Sequence, residues 1–196
     1  MFNFISCGWL MARAKNPEDD LVIIFALAIE AIARGRTRPP NLGMGLSCEV
    51  FTELLDNYFP AASCEIVDDR FRERYSVDPL ESEFEDIVEV LLDHRSSDDR
   101  RIEWLAYAVA SGCMGSDHLY HDMGLPNRQA LSSLLERHFT ALFCKNVHNM
   151  KWKKFFYKQL CDRAEIIMCP TRNCMTCIDY KNCFAPEEAV LEESLH

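Results

Sequence analysis

The sequence predicts an all-α fold: a bundle of about six to seven helices followed by an irregular cysteine-rich loop. Three observations predict it. Apolar residues recur at helical spacing, as where Phe84, Ile87, Val88, Leu91 and Leu92 share one face at i, i+3 and i+4. No segment alternates apolar and polar residues as a half-buried strand does. Helix punctuation is frequent: Ser47 precedes one periodic segment as an N-cap, and Gly35 with the Pro39-Pro40 pair follows another.

The first helix covers 20–34. Its core, Leu21 to Ala33 (LVIIFALAIEAIA), is nearly all apolar, yet it is too short to span a bilayer and contains Glu30, so it reads as a buried core helix. A second covers 47–58. Residues 61–77 (AASCEIVDDRFRERYSV) are polar and poorly periodic, the composition of a connector. Asp78-Pro79 then opens a longer acidic helix, PLESEFEDIVEVLLDHR, and helices at about 98–113, 126–139 and 149–165 complete the set.

A weak internal repeat runs at an offset of 79 to 80 residues. Met44-Gly45-Leu46 recurs as Met123-Gly124-Leu125, and Leu54-Leu55-Asp56-Asn57-Tyr58-Phe59 parallels Leu134-Leu135-Glu136-Arg137-His138-Phe139. Two related helical halves, about 25–60 and 104–140, would bury both apolar stripes against each other. Chance likeness between two amphipathic helices is the alternative. The expected organisation is a helical domain over 1–168, a cysteine-rich loop over 169–186 and a solvated acidic tail over 187–196.

With 196 residues, 48% of them apolar, the chain can bury a real core. Its formal charge of −10 argues against nucleic-acid binding, which wants a basic face. Ten cysteines first suggest a secreted disulfide scaffold. The opening MFNFISCGWLMARAK counters that, because its charges, Arg13 and Lys15, follow the apolar run, the wrong order for a secretory signal. The expectation is a cytoplasmic protein with no membrane span, in which clustered cysteines hold metal.

Four of those cysteines lie in one segment, MCPTRNCMTCIDYKNCF. Cys169, Cys174, Cys177 and Cys183 follow the spacing C-x4-C-x2-C-x5-C, and Pro170, Asn173, Asp179 and Asn182 interrupt regular structure as in a loop around metal. Soft thiolates select zinc, Cu(I) or iron–sulfur clusters. Only Cys174 and Cys177 form a zinc-type knuckle. C-x4-C-x2-C matches three ligands of plant-type ferredoxins, whose fourth cysteine lies much further on and whose fold is strand-rich. An iron–sulfur cluster fits best, with zinc as the alternative.

Upstream, NMKWKKFFYKQLC places Trp152, Phe156 and Leu160 on one helical face and Lys151, Lys154 and Lys158 on another. That pattern suits a core-facing aromatic stripe with a solvated basic face. It also places positive charge, including Lys153, Arg163 and Arg172, beside a loop that would hold an anionic cluster or receive an oxyanion. In Asp117-His118-Leu119-Tyr120-His121-Asp122, imidazoles three apart could bind metal, although paired surface histidines are commoner. Cys161 reads as a buried thiol on its helix; Cys7, Cys48, Cys64 and Cys144 read as packing or surface residues. The roles of Cys113 and His121 are open. No Gly-rich phosphate loop, radical-cluster C-x3-C-x2-C motif or nucleophile–base pairing is present, so an enzyme is not expected.

The segment from Met150 to Glu188, with WKKFFY and the four-cysteine spacing, resembles the C-terminal signature of the NifQ family. WLAYAVASGCMGSDHLYHDMGLPNRQALSSLLERHF is similar to it as well, departing at Tyr120-His121, where the family pattern has tryptophan and glutamine. The resemblance covers about 84–188 well and the N-terminal third more loosely. It implies a cytoplasmic iron–sulfur protein that carries molybdenum in a Mo–Fe–S cluster, with molybdate as the metal source. The molybdenum would go to the scaffold and reductase proteins that build the nitrogenase iron–molybdenum cofactor. Cys169, Cys174, Cys177 and Cys183 would bind the cluster, and His118 or an exogenous ligand would complete the coordination of molybdenum. A [4Fe–4S] electron carrier and an interaction module with a structural zinc site are the competing functions.

Overall fold

The computed structural model describes residues 5–37, 41–67, 82–165, 177–178 and 180–185, and eleven helices lie among them. They are α1 (Cys7–Met11), α2 (Asp20–Ala33), α3 (Cys48–Tyr58), α4 (Pro60–Ile66), α5 (Ser82–Asp93), α6 (Arg100–Cys113), α7 (Leu119–Asp122), α8 (Arg128–His138), α9 (Thr140–Lys145), α10 (Trp152–Arg163) and α11 (Tyr180–Phe184). No strand occurs among the described residues. The expected six to seven helices correspond to α2, α3, α5, α6, α8 and α10; the other five are short pieces that periodicity does not register.

The stretch read as a connector from residue 61 begins inside α4, and α11 carries the last cysteine of a segment expected to be irregular. A helix of five to seven residues presents too little of one face to produce a periodic stripe, so tertiary packing decides its conformation. Asp78-Pro79, Pro170, Asn173, Asp179 and the tail from 187 lie outside the described residues.

Helix α2 starts where the Asp19 side chain accepts from Leu21 N at 2.9 Å. It ends in a Schellman closure: Gly35, at φ 72°, donates to Ile32 O, and Arg36 N donates to Ala31 O, both at 2.9 Å. Between those caps it buries Leu21, Val22, Phe25, Ala26, Ala28, Ile29 and Ala31, more than one stripe, as a core helix must. It packs against α6, which is buried over most of its length. Phe25, Tyr58 and Trp104 form the aromatic centre, with ring centroids 5.0 to 6.5 Å apart. No described helix is long and apolar enough to cross a membrane.

The same local geometry occurs twice along the chain. Both α2 and α6 have 14 residues, and each is capped by an aspartate, Asp19 and Asp99, that accepts from the amide two residues on. Phe59 joins α3 to α4 at φ −135°, ψ 56°, and Phe139 joins α8 to α9 at φ −136°, ψ 47°. Both phenylalanines are fully buried. Lys15 N donates to Tyr58 O at 2.9 Å, as Ser96 N donates to His138 O at 2.8 Å. Met44-Gly45-Leu46 and Met123-Gly124-Leu125 each bury their methionine and leucine around a glycine of positive φ, 82° and 73°. Charge is not repeated with the backbone: Arg13 pairs with Glu65 at 2.9 Å, whereas His94 Nε2 lies 2.6 Å from Lys145 Nζ.

His138 gives this body a pH dependence. Burial first, then the guanidinium groups of Arg137 and Arg101, hold its pKa below the usual 6.5. The unfolded chain therefore takes up the proton before the folded one does. The stabilisation is complete above pH 6.5 and declines as the pH falls below it. Urea midpoints should drop between about pH 7.5 and pH 5.5. His138→Gln should flatten that drop, and equal slopes in the two proteins would contradict the assignment.

Candidate metal centre

The site is built on the first turn of α10. The turn before it is tied down by Asn146 and Arg128. Asn146 Oδ1 accepts from Met150 N at 2.8 Å, and Asn146 Nδ2 donates to Met150 O at 2.9 Å. Arg128 donates to the Asn149 side chain and to Met150 O, each at 2.9 Å. Asn149 itself sits at φ 53°, a left-handed conformation that asparagine tolerates better than most residues. Trp152, Phe155 and Phe156 then bury against the body, with the rings of Trp152 and Phe155 edge to face. The aromatic stripe thus includes Phe155, and Leu160 is only half-buried.

The first turn meets two segments. Lys151 N donates to Cys183 O at 2.8 Å, which fastens α11 to the start of α10. Tyr180 N donates to Cys177 O at 3.1 Å, which ties Cys177, three residues upstream, to the start of α11. The side chains of Cys177 and Cys183 are partly exposed. Cys183 and Phe184 rest against the edge of the core. Cys169, Cys174 and Arg172 lie outside the described residues. Among the described residues no cluster of three or more histidine, cysteine or acidic side chains could hold a metal ion, but half of the four-cysteine motif is not among them.

The second segment is the loop from α6 through α7. Lys153 Nζ donates to Gly115 O at 2.8 Å and forms an ion pair with Asp122. Asp122 is 3% exposed and also accepts from Asp117 N at 3.0 Å. A β-carbon at Gly115 would lie 2.3 Å from the Asp122 carboxyl carbon, so only glycine admits the carboxylate there. Gly112 allows a comparable approach by Met123, which brings α7 onto the end of α6. His118 is the N-cap residue of α7, and its ring stacks on Tyr120 with centroids 6.0 Å apart. His121 is exposed and directs Nδ1 to Asp117 at 3.0 Å. Both imidazoles thus lie against Tyr120, His118 stacked and His121 edge to face with centroids 6.4 Å apart, and His121 also meets the Asp117 carboxylate.

The basic residues expected to attract an anion are partly engaged. Lys153 is held by Asp122, Lys158 pairs with Asp162 on its own helix, and Arg163 reaches Asp93 at 2.9 Å and Glu89 at 3.5 Å. Lys154 is exposed and Lys151 half-buried. Sequence periodicity identified α10 but could not reveal the partner of Lys153, which is 31 residues away. The only local hint was the pairing of Gly115 with a following acidic stretch.

The remaining cysteines divide by environment. Cys113 is buried, and desolvation pushes its thiol up to about 12, against a smaller opposing influence from Lys153. It remains a protonated packing residue. Cys161 is half-exposed on α10, while Cys64 and Cys144 are exposed and Cys7 and Cys48 half-buried. A soft metal centre requires thiolates that can lose their protons without penalty. Cys177 and Cys183 are partly open to solvent on a segment fastened at one end, whereas burial keeps Cys113 protonated.

The sequence profile of the NifQ family matches residues 24–185. Protein NifQ of Azotobacter vinelandii is 44% identical over 105 residues, a match spanning 54% of each chain, or about half the length of that relative. Protein NifQ of Rhodobacter capsulatus is 30% identical over 171 residues, covering 87% of this chain and 91% of the relative. A NifQ homolog of Sinorhizobium fredii is 30% identical over 165 residues, covering 84% and 70%. No solved structure matches. The match runs from the core helix α2 through the last cysteine on α11, and on that ground the chain belongs to the NifQ family.

Proposed function

We propose that this protein is a cytoplasmic iron–sulfur carrier of molybdenum, loaded from molybdate, that donates the metal for assembly of the nitrogenase iron–molybdenum cofactor. Its partners would be the scaffold and reductase proteins of that assembly, and it would be a carrier rather than an enzyme. Cys169, Cys174, Cys177 and Cys183 would hold the cluster as thiolates, with His118 or an exogenous ligand on molybdenum. The helical body, read as two related halves, would be the rigid support for the loop.

The observation that carries this reading is the seating of Cys183. Its carbonyl is held by the first turn of α10, and the next residues of that turn hold the loop that bears His118. One turn of helix thereby meets both the segment with Cys183 and the loop with His118, and thiolates with an imidazole would form a donor set suited to iron and molybdenum rather than to calcium or magnesium. An iron–sulfur cluster, when bound, would supply sulfide through which molybdenum can be retained. The chain's part is to keep the thiolates partly exposed, so that the metal can leave to a partner.

Anaerobic reconstitution with iron, sulfide and molybdate tests the reading. Molybdenum should stay with iron and sulfide on the protein through desalting. Zinc bound alone at about one per chain under reducing conditions, with no iron–sulfur absorbance, would replace it with a structural zinc site.

A further inference from the structure

We propose that Lys153 and Asp122 are positioning residues: their buried ion pair locks the His118 loop onto the first turn of α10, beside the Cys183 segment. The inference rests on the carrier reading above. It comes from a convergence within three residues of one helix. Lys151 offers its backbone N–H to Cys183, and Lys153 sends its side chain the other way, to Asp122 and Gly115. One rigid turn therefore grips both segments that would supply ligands.

The loop is built for that grip. Asp122 accepts from Lys153 and from the amide of Asp117, so a single carboxylate closes the loop on both sides of His118. Gly115 has no β-carbon to keep the carboxylate away and presents its carbonyl to the same ammonium. Lys153 is 17% exposed and Asp122 4% by side chain, so the pair is largely desolvated and its geometry well defined. A solvated surface lysine, the expected anion attractor, would show neither feature. A charge pair at such depth is a costly way to gain stability but an effective way to fix register. Here the register is that of His118 relative to the cysteine segment.

The test uses the full chain in four forms: wild type, Lys153→Met with Asp122→Asn, Lys153→Arg, and Gly115→Ala. The double variant removes both charges together, so no buried charge is left alone. Hydrogen–deuterium exchange on the metal-free proteins should rise at least about tenfold in peptides covering 114–122 of the double variant and Gly115→Ala. Peptides from α2 and α6 should keep their wild-type protection. After anaerobic reconstitution, iron and sulfide per chain should match wild type in the double variant, while molybdenum falls to about a third or less. Lys153→Arg, which keeps a positive charge opposite Asp122, should retain the wild-type ratio of molybdenum to iron. A merely destabilised protein would lose iron and molybdenum together and exchange faster throughout.

Unchanged exchange at 114–122, or a wild-type molybdenum-to-iron ratio in the double variant, would overturn the positioning role and leave the carrier reading standing. A wild-type protein that takes up iron and sulfide but no molybdenum would overturn the carrier reading, and the positioning role with it.

Discussion

Replacing Cys177 and Cys183 together by serine should abolish retention of iron, sulfide and molybdenum, by tenfold or more, while leaving the helical body folded. A serine hydroxyl is a hard donor that stays protonated at neutral pH, so it does not substitute for a thiolate at a soft metal. The fold should tolerate the change because both side chains are partly exposed and the large buried residues, from Ile5 to Phe156, lie before the cysteine segment. Substitutions at such positions usually cost within about 0.5 kcal/mol. Elemental analysis and circular dichroism on the same preparation check both halves of the expectation. Full iron content in the double serine variant would remove these cysteines from the site. Lost helicity would mean that they support the fold instead.

The second large effect is on stability. Phe59→Ala and Phe139→Ala should each cost about 3–5 kcal/mol, the usual penalty for emptying a buried phenylalanine site. Each ring is fully buried, and each residue is at once the end of one helix and the start of the next. Neither phenylalanine side chain can cap its helix, and although Ser96 Oγ accepts from Thr140 N at 3.0 Å, burial of the ring is the main hold on each junction. The double variant loses an amount comparable with the whole stability of a typical domain and should be largely unfolded. Urea unfolding checks this; a loss below about 1 kcal/mol at either site would show that the junctions do not depend on the rings.

Those junctions also explain what the sequence could and could not reveal. The caps at Asp19, Ser47, Asp99 and Asn127 are local: a side-chain oxygen reaches an amide two or three residues on, and the residue types announce it. Helices that start from such caps were legible to within a residue or two. The break at Phe59 is not local. Its backbone turns because the ring is drawn into a core made by distant helices, so α4 looked like a polar connector and α9 went unnoticed. The recurring MGL and Leu-Leu…Phe segments are visible in the sequence, whereas the matching caps at Asp19 and Asp99 and the shared backbone turn at the two phenylalanines are evident only in the fold.

The site was legible in a different proportion. The proposed thiolate chemistry needs only residue types and spacing, which C-x4-C-x2-C-x5-C supplies. The support behind it was hidden, because Lys153 and Asp122 are 31 residues apart and each has an innocent local reading. Lysine on a basic helix reads as solvated, and aspartate after a histidine reads as surface. Burial reverses both. Burial likewise sets Cys113 apart from Cys177 and Cys183, since sequence shows ten thiols and only packing tells which of them are buried.

On the carrier reading, the four-cysteine segment holds iron and sulfide together with molybdenum. Elemental analysis with electron paramagnetic resonance, on protein isolated anaerobically from cells supplied with molybdate, distinguishes this from a zinc or simple iron–sulfur site. Iron, acid-labile sulfide and molybdenum are expected on the same chain, with an iron–sulfur signal that changes when molybdenum is withheld. Zinc as the sole metal, or an iron–sulfur signal indifferent to molybdenum in a protein that contains none, would contradict it.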